Sequence, residues 1–181
     1  MTKFRAAALA ALTAMLFGSA TFADLPPLPV LDRQLDLQLY KGDWYVHGNI
    51  PVGIPFFSDK NAVNYRESYE LNADGTIKLI CEFNDAANNN KLRRFVFKGF
   101  VTDDPSNATW KVQFVWPIRA TYKVIYLDDD YQSTIVATPD RKFAWIMARD
   151  SQISDARYTQ LLKKVGDAGY NIEKMRRVPQ L

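Results

Sequence analysis

The sequence predicts an all-β fold, a barrel or a sandwich of eight antiparallel strands followed by one helix. Three observations carry this. Strand-like runs recur at intervals of about ten residues, separated by short turn-forming clusters. Aromatic residues make up 13% of the chain and sit mostly inside those runs. The period then changes once, from two to that of an amphipathic helix, after residue 154.

The elements follow in order. Leu25-Pro-Pro-Leu-Pro29 is an extended, polyproline-like lead-in. Leu31 to Tyr40 is apolar at mixed spacing, suited to plugging one end of a sheet or to a single helical turn. Trp44 to Ile50 is the first strand. Ala62 to Leu71 is the second, with Val63, Tyr65, Tyr69 and Leu71 on one face. Asp74-Gly75 makes a tight turn into Ile77 to Phe83. The Asn-rich stretch 85–90 precedes Leu92 to Val101, whose Phe95, Phe97, Gly99 and Val101 share a face. Trp110 to Val115 alternates apolar with polar residues and ends at Pro117. Tyr122 to Leu127, Ser133 to Thr138 and Phe143 to Arg149 complete eight strands, enough to close an up-and-down barrel around one small ligand. Ser154 then caps a helix with Tyr158, Leu161, Leu162, Val165 and Ala168 on one stripe and Gly169 as its stop. That helix belongs outside the sheet. Ile172 to Val178 adds a last short strand.

The N-terminus reads as a secretory signal peptide over residues 1–23. A basic start (Lys3, Arg5) leads into an apolar run from Ala6 to Phe17, too short to span a bilayer. Small residues follow, with cleavage after Ala23 and Ala20 as the alternative. Residues 24–181 then form a single domain. No Cys follows either cleavage point, so lipid anchoring is not expected. The expected location is the periplasm, as a soluble protein, with outer-membrane association as the further option.

Composition excludes several functions. Net charge is +3, and loss of Lys3 and Arg5 leaves it near zero, which gives no argument for nucleic acid. Cys81 is the one cysteine and His47 the one histidine. An internal disulfide is impossible, and a His/Cys metal site lacks ligands. A hydrolase triad would have to use His47, three residues beyond Trp44 on the same strand. Cys81 has no assured activator and reads as a buried apolar thiol. Asp128 to Asp130 reads as an acidic turn. No cofactor, no metal and no enzymatic activity are expected.

Trp44 and Arg149 bracket the strand region. A Trp opening a closed sheet and an Arg ending it can meet at the shut end, with the guanidinium across the indole, worth about 0.5–2 kcal/mol. The alternative is an ordinary buried Trp on an edge strand. Three segments in register decide between them: Gly42-Asp43-Trp44-Tyr45, the turn Val124 to Tyr131 in which Asp130 precedes Tyr131, and Asp140 to Arg149. Together, over residues 35–178, they resemble a lipocalin, on the bacterial branch similar to apolipoprotein D. The resemblance implies an eight-stranded antiparallel up-and-down β-barrel, closed near Trp44 and Arg149, with one C-terminal α-helix packed outside. It further implies binding of a small hydrophobic ligand of the fatty acid or lysophospholipid class, in envelope lipid maintenance. Bacterial members are often outer-membrane lipoproteins; the missing lipidation Cys departs from that pattern.

Strand period places Tyr65, Glu67, Tyr69, Phe95, Phe97, Trp110, Val112 and Phe114 as calyx-lining candidates. Glu67 has three readings: exposed near the mouth, paired with an Arg, or a polar handle for a head group. Arg94 and Arg119 are candidates for receiving an acidic head group, against a solvated strand face. Phe56 and Phe57, in the loop after the first strand, are expected as a lid or a membrane-touching element, against simple packing. The expected partners are a small hydrophobic ligand and a transient membrane contact, with no nucleic acid, in a monomer or dimer. Two other readings stand beside the carrier: a barrel filled by its own side chains, and a lipid-modifying enzyme on the same fold.

Overall fold

In a computed structural model, residues 27–29 and 31–181 are described; the expected signal peptide lies outside them. The first element of the described residues is one helical turn, α1 (Leu37–Tyr40), whose N-cap Asp36 accepts the amides of Gln38 and Leu39. Strand β1 (Gly42–Asn49) follows, then a two-rung hairpin of β2 (Gly53–Ile54) and β3 (Phe57–Ser58). The long strands are β4 (Ala62–Leu71), β5 (Ile77–Asp85), β6 (Lys91–Val101), β7 (Thr109–Val115), β8 (Ile118–Leu127), β9 (Ser133–Ala137) and β10 (Ala144–Ala148). Helix α2 (Asp155–Asp167), a 3₁₀ turn at Ile172–Lys174 and β11 (Arg176–Arg177) complete the chain.

Each long strand pairs antiparallel with the next, and β10 returns to β1 through Tyr45↔Ala148 and Asn49↔Trp145. Eight strands therefore close a barrel, which leaves no open edge among them. β1 serves two neighbours on its other side. Gly42 to Tyr45 pair with β4, and Gly48 and Asn49 pair with β11. Where β4 departs from β1, the C-terminal tail fills the seam. The Gln180 amide donates to the carbonyls of both Val46 (2.9 Å) and Tyr65 (3.1 Å). The Asn64 amide donates to the Pro179 carbonyl at 2.8 Å.

Two apolar cores result. One fills the barrel; the other joins Ile125, Ile135, Ala137, Ala144 and Ile146 on its outer wall to Tyr158, Leu161, Val165 and Ala168 of α2. β9 and β10 are thus buried on both faces, and their runs are continuously apolar. Ser154 caps α2 by accepting the Arg157 amide at 3.1 Å. Gly48 lets α2 approach, since a Cβ there would lie 2.7 Å from the Tyr158 hydroxyl.

Two expectations are corrected. Ile172 to Lys174 is a 3₁₀ turn capped by Asn171, and only two residues of the expected last strand pair. The strand after Pro117 is longer than expected: β7 ends at Val115, and Trp116-Pro117, joined by a cis peptide bond, is the two-residue turn of the β7–β8 hairpin. β8 therefore starts four residues earlier than Tyr122.

Candidate functional site

α1 and Arg149 close one end of the barrel. The Arg149 guanidinium carbon lies 3.8 Å from the Trp44 ring centroid. Its nitrogens donate to the carbonyls of Asp43 (2.8 Å), Leu39 (2.7 Å), Tyr40 (3.1 Å) and Lys41 (3.0 Å). One planar fork thus satisfies the unpaired carbonyls of a four-residue helix and covers an indole face. Gly42 passes beneath it at φ +96°, a conformation that disfavours any side chain. Tyr131 completes the plug: its hydroxyl accepts the Asp36 amide at 3.0 Å. Asp130, before it, lies exposed in the turn. Asp128 in the same turn pairs with Arg157 of α2 at 2.6 Å.

The calyx floor is aromatic. Tyr40 packs at 5.0–5.6 Å, ring to ring, against Trp44, Tyr69 and Trp110. Trp110 stacks on Tyr122 at 6.0 Å. Each such pair adds about 0.5–1.5 kcal/mol beyond its area burial. Val112 is buried in the same cluster.

Glu67 sits inside, 2% exposed, opposite Cys81 in register. Its Oε1 accepts the Tyr65 hydroxyl at 3.2 Å, and its Oε2 accepts those of Tyr69 (2.5 Å) and Tyr122 (2.7 Å). It is neither exposed near the mouth nor paired with an Arg; three phenols take the place of a cation. Burial pushes its carboxyl up, and the phenol donors offset part of that. Burial likewise pushes the Cys81 thiol well up, with Glu67 adding to it. Buried residues of the described chain include two carboxylates, Glu67 and Asp59, and no Lys or Arg.

The upper wall changes to Phe. Phe83, Phe95, Phe97 and Phe114 run across β5 to β7, with Phe97–Phe114 at 4.8 Å. Phe95 and Phe114 are partly exposed. The loop residue Phe57 folds in upon them, at 4.9 Å from Phe95 and 5.7 Å from Phe97, and is 3% exposed. Phe56, beside it, points outward at 45%. The lid pair is therefore split into one inward plug and one outward ring.

The plug is anchored by Asp59, whose Oδ1 accepts the Val52 amide at 2.7 Å. Among the described residues its Oδ2 has no hydrogen-bond partner, nor has the Trp145 indole N–H or the Asn49 amide nitrogen. The last two groups lie close enough to favour the charged form, but burial wins and pushes Asp59 up to about 6.

All eight lining candidates thus lie in one barrel. Tyr65, Glu67, Tyr69, Trp110 and Val112 belong to the filled lower half, and Phe95, Phe97 and Phe114 to the upper wall. The two Arg candidates do not join them. Arg94 approaches Glu82 at 3.7 Å on the outer face, and Arg119 stacks on Phe100 at 3.8 Å. A cation on the face of Phe95 and Phe97 is Arg93, 5.5 Å from the Phe95 centroid. Continuing the two-residue period back from Phe97 and Phe95 finds it. Tyr122, Trp145 and Asp59 were also missed. Tyr122 and Trp145 share their faces with apolar neighbours, whereas Asp59 lies in a loop with no period.

Comparison with known proteins agrees with this geometry. A family model described as a lipocalin-like domain matches residues 35–180. Temperature-induced lipocalin-1 of Arabidopsis thaliana is 34% identical over 157 residues, covering 82% of this chain and 81% of its own. The outer membrane lipoprotein Blc of Citrobacter freundii is 31% identical over 170 residues, covering 92% of each. Among solved structures, the cockroach allergen Per a 4 superposes with a TM-score of 0.60 at 16% identity, over 86% of this chain and 97% of its own. Lobster apocrustacyanin A1 gives 0.58 at 12%, over 81% and 80%. With the closed barrel, the Arg149–Trp44 plug and the outer helix in place, the chain belongs to the lipocalin family, on its bacterial branch.

Proposed function

We propose that this protein is a non-catalytic carrier of a small hydrophobic ligand with one acyl chain, of the fatty acid or lysophospholipid class, serving lipid maintenance in the cell envelope. The observation that carries the proposal is the Phe wall of the upper calyx, partly exposed at Phe95 and Phe114 and covered by a single displaceable ring, Phe57. A tail entering where Phe57 now lies buries apolar area at about 25 cal/mol per Å². The head group then remains at the mouth, where Arg93 offers a cation beside Phe95. Two relatives named outer membrane lipoprotein support an envelope location, and the N-terminal pattern supports export to the periplasm. The raised, buried Cys81 thiol supports a role without covalent chemistry.

A second reading has its own observation. Trp44, Trp110, Tyr40, Tyr65 and Tyr69 are all fully buried and occupy the lower barrel, as in an interaction protein whose interior is filled by its own side chains. Native mass spectrometry of detergent-free protein, followed by solvent extraction, separates the two. The carrier gives a discrete added mass that extracts as fatty acid or lysophospholipid. A clean apo mass that also fails to take up a fluorescent fatty acid leaves the filled barrel.

A further inference from the structure

The strands alternate in direction, so the connections β1–β4, β5–β6, β7–β8 and β9–β10 all lie at the open end. The most exposed apolar element of the barrel is there. At the β7–β8 tip, Val115 is 42% exposed, Trp116 83% and Ile118 61%. Phe56, 45% exposed, lies in the β2–β3 hairpin at the same end. An almost bare indole flanked by Val115 and Ile118 does not fit a solvated turn, where small and polar residues are the rule. Trp favours the boundary between head groups and acyl chains, because its ring is apolar and its N–H is wet.

Charge is distributed along the barrel axis in the same sense. The open-end connections and their flanks carry Lys60, Lys91, Arg93, Arg94, Arg119 and Lys142, against Asp85 and Asp140 at the surface. Among the described residues, Lys60, Lys91, Arg93 and Arg119 have no ion-pair partner. The closed end carries Asp36, Asp74, Asp103, Asp104, Asp129 and Asp130 in its connections; Asp129 pairs with Arg33 and Asp74 with Lys98, which leaves Asp36, Asp103, Asp104 and Asp130 without an ion-pair partner among the described residues, beside Lys41 and Arg149. Such an axial charge separation orients the molecule mouth-first toward a negative surface, and the attraction falls with salt.

We propose that the open end docks on an anionic phospholipid bilayer, with the Val115–Ile118 tip dipping among the head groups and the surrounding cations facing lipid phosphates. This deepens the carrier reading and rests on it: the ligand passes between bilayer and calyx without crossing water. The tip is too short to span; it positions the mouth. Membrane contact thus moves from the inward Phe57 to the β7–β8 hairpin, with the outward Phe56 at the same end of the barrel.

Vesicle flotation tests the docking. Vesicles of phosphatidylglycerol mixed with phosphatidylethanolamine should carry the protein at low salt, and phosphatidylcholine vesicles should carry much less. The double variant W116S/I118S should lower the partition coefficient by about tenfold or more, and raised salt should lower it further. Trp116 is the exposed one of the four tryptophans, so brominated lipid should quench a solvent-exposed emission component that W116S lacks. Equal flotation of the double variant overturns the proposal, as does equal binding to both vesicle types. So does a concentration-dependent dimer that W116S abolishes while vesicles are ignored, since the tip would then meet a second copy. Uptake of a fluorescent lysolipid from solution is measured in parallel. Flotation without uptake refutes the carrier reading and leaves the docking standing; uptake without flotation does the reverse.

Discussion

Replacing Asp59 by Asn should flatten the pH dependence of folding stability. Burial raises this carboxyl from 3.8 to about 6. The folded state therefore holds its proton more tightly than the unfolded chain does. For a raised pKa the stabilising contribution is complete below about pH 4 and is lost as pH rises through about 6. The shift of about two units corresponds to about 3 kcal/mol at 1.36 kcal/mol per unit. Asn is neutral throughout and keeps the oxygen that accepts the Val52 amide. Urea unfolding followed by circular dichroism, at half-unit steps from pH 4 to 8, reads the difference between the two proteins. Glu67, also raised, remains in both and largely cancels. Relative to the wild type, the variant should gain about 3 kcal/mol between pH 4 and pH 7. Parallel curves would refute the reasoning and mean that the carboxyl is solvated in solution through the loop that carries Phe57.

Phe57→Ala should lower stability by about 2–4 kcal/mol, since a buried ring leaves a cavity, and should speed uptake of a fluorescent fatty acid in stopped flow; Phe56→Ser should leave the thermal midpoint nearly unchanged. A common effect for both would deny the split between plug and outward ring. Arg149→Lys should cost about 2–3 kcal/mol, because an ammonium cannot reach four carbonyls and cover the indole at once; the thermal midpoint and near-UV circular dichroism of Trp44 check it.

The strands were legible because one face of each is buried by the barrel interior, which imposes the period of two. Phe95, Phe97, Trp110, Val112 and Phe114 were placed inward by that rule alone. The same rule, carried two residues further, would have chosen Arg93 over Arg94. Glu67 was on the correct face, but its partners come from β4 and β8, with Tyr122 lying 55 residues away; no local pattern announces three phenols converging on one carboxylate. The loop after β1 was the least legible part. Phe56 and Phe57 differ in burial because a two-rung hairpin turns one in and the other out, and hairpins that short leave no periodic trace. Pro117 marks the end of β7, but the start of β8 was not legible, since a proline breaks pairing whether the turn that follows is two residues or six.

The tail that stitches β1 to β4 makes the barrel a fold that is completed from its far end. Gln180 reaches across 134 residues to Val46 and 115 to Tyr65, so the residues that fill the seam are made after every long strand of the barrel. Until they arrive, the upper half of β1 has one long neighbour, β10, and that neighbour is itself late. Contacts of such long sequence separation form slowly. The seam between β1 and β4 therefore closes only once residues 176–181 are free to dock. A rigid fusion placed directly after Leu181 would crowd the seam, where the Leu181 amide is held by Asn64 at 2.6 Å.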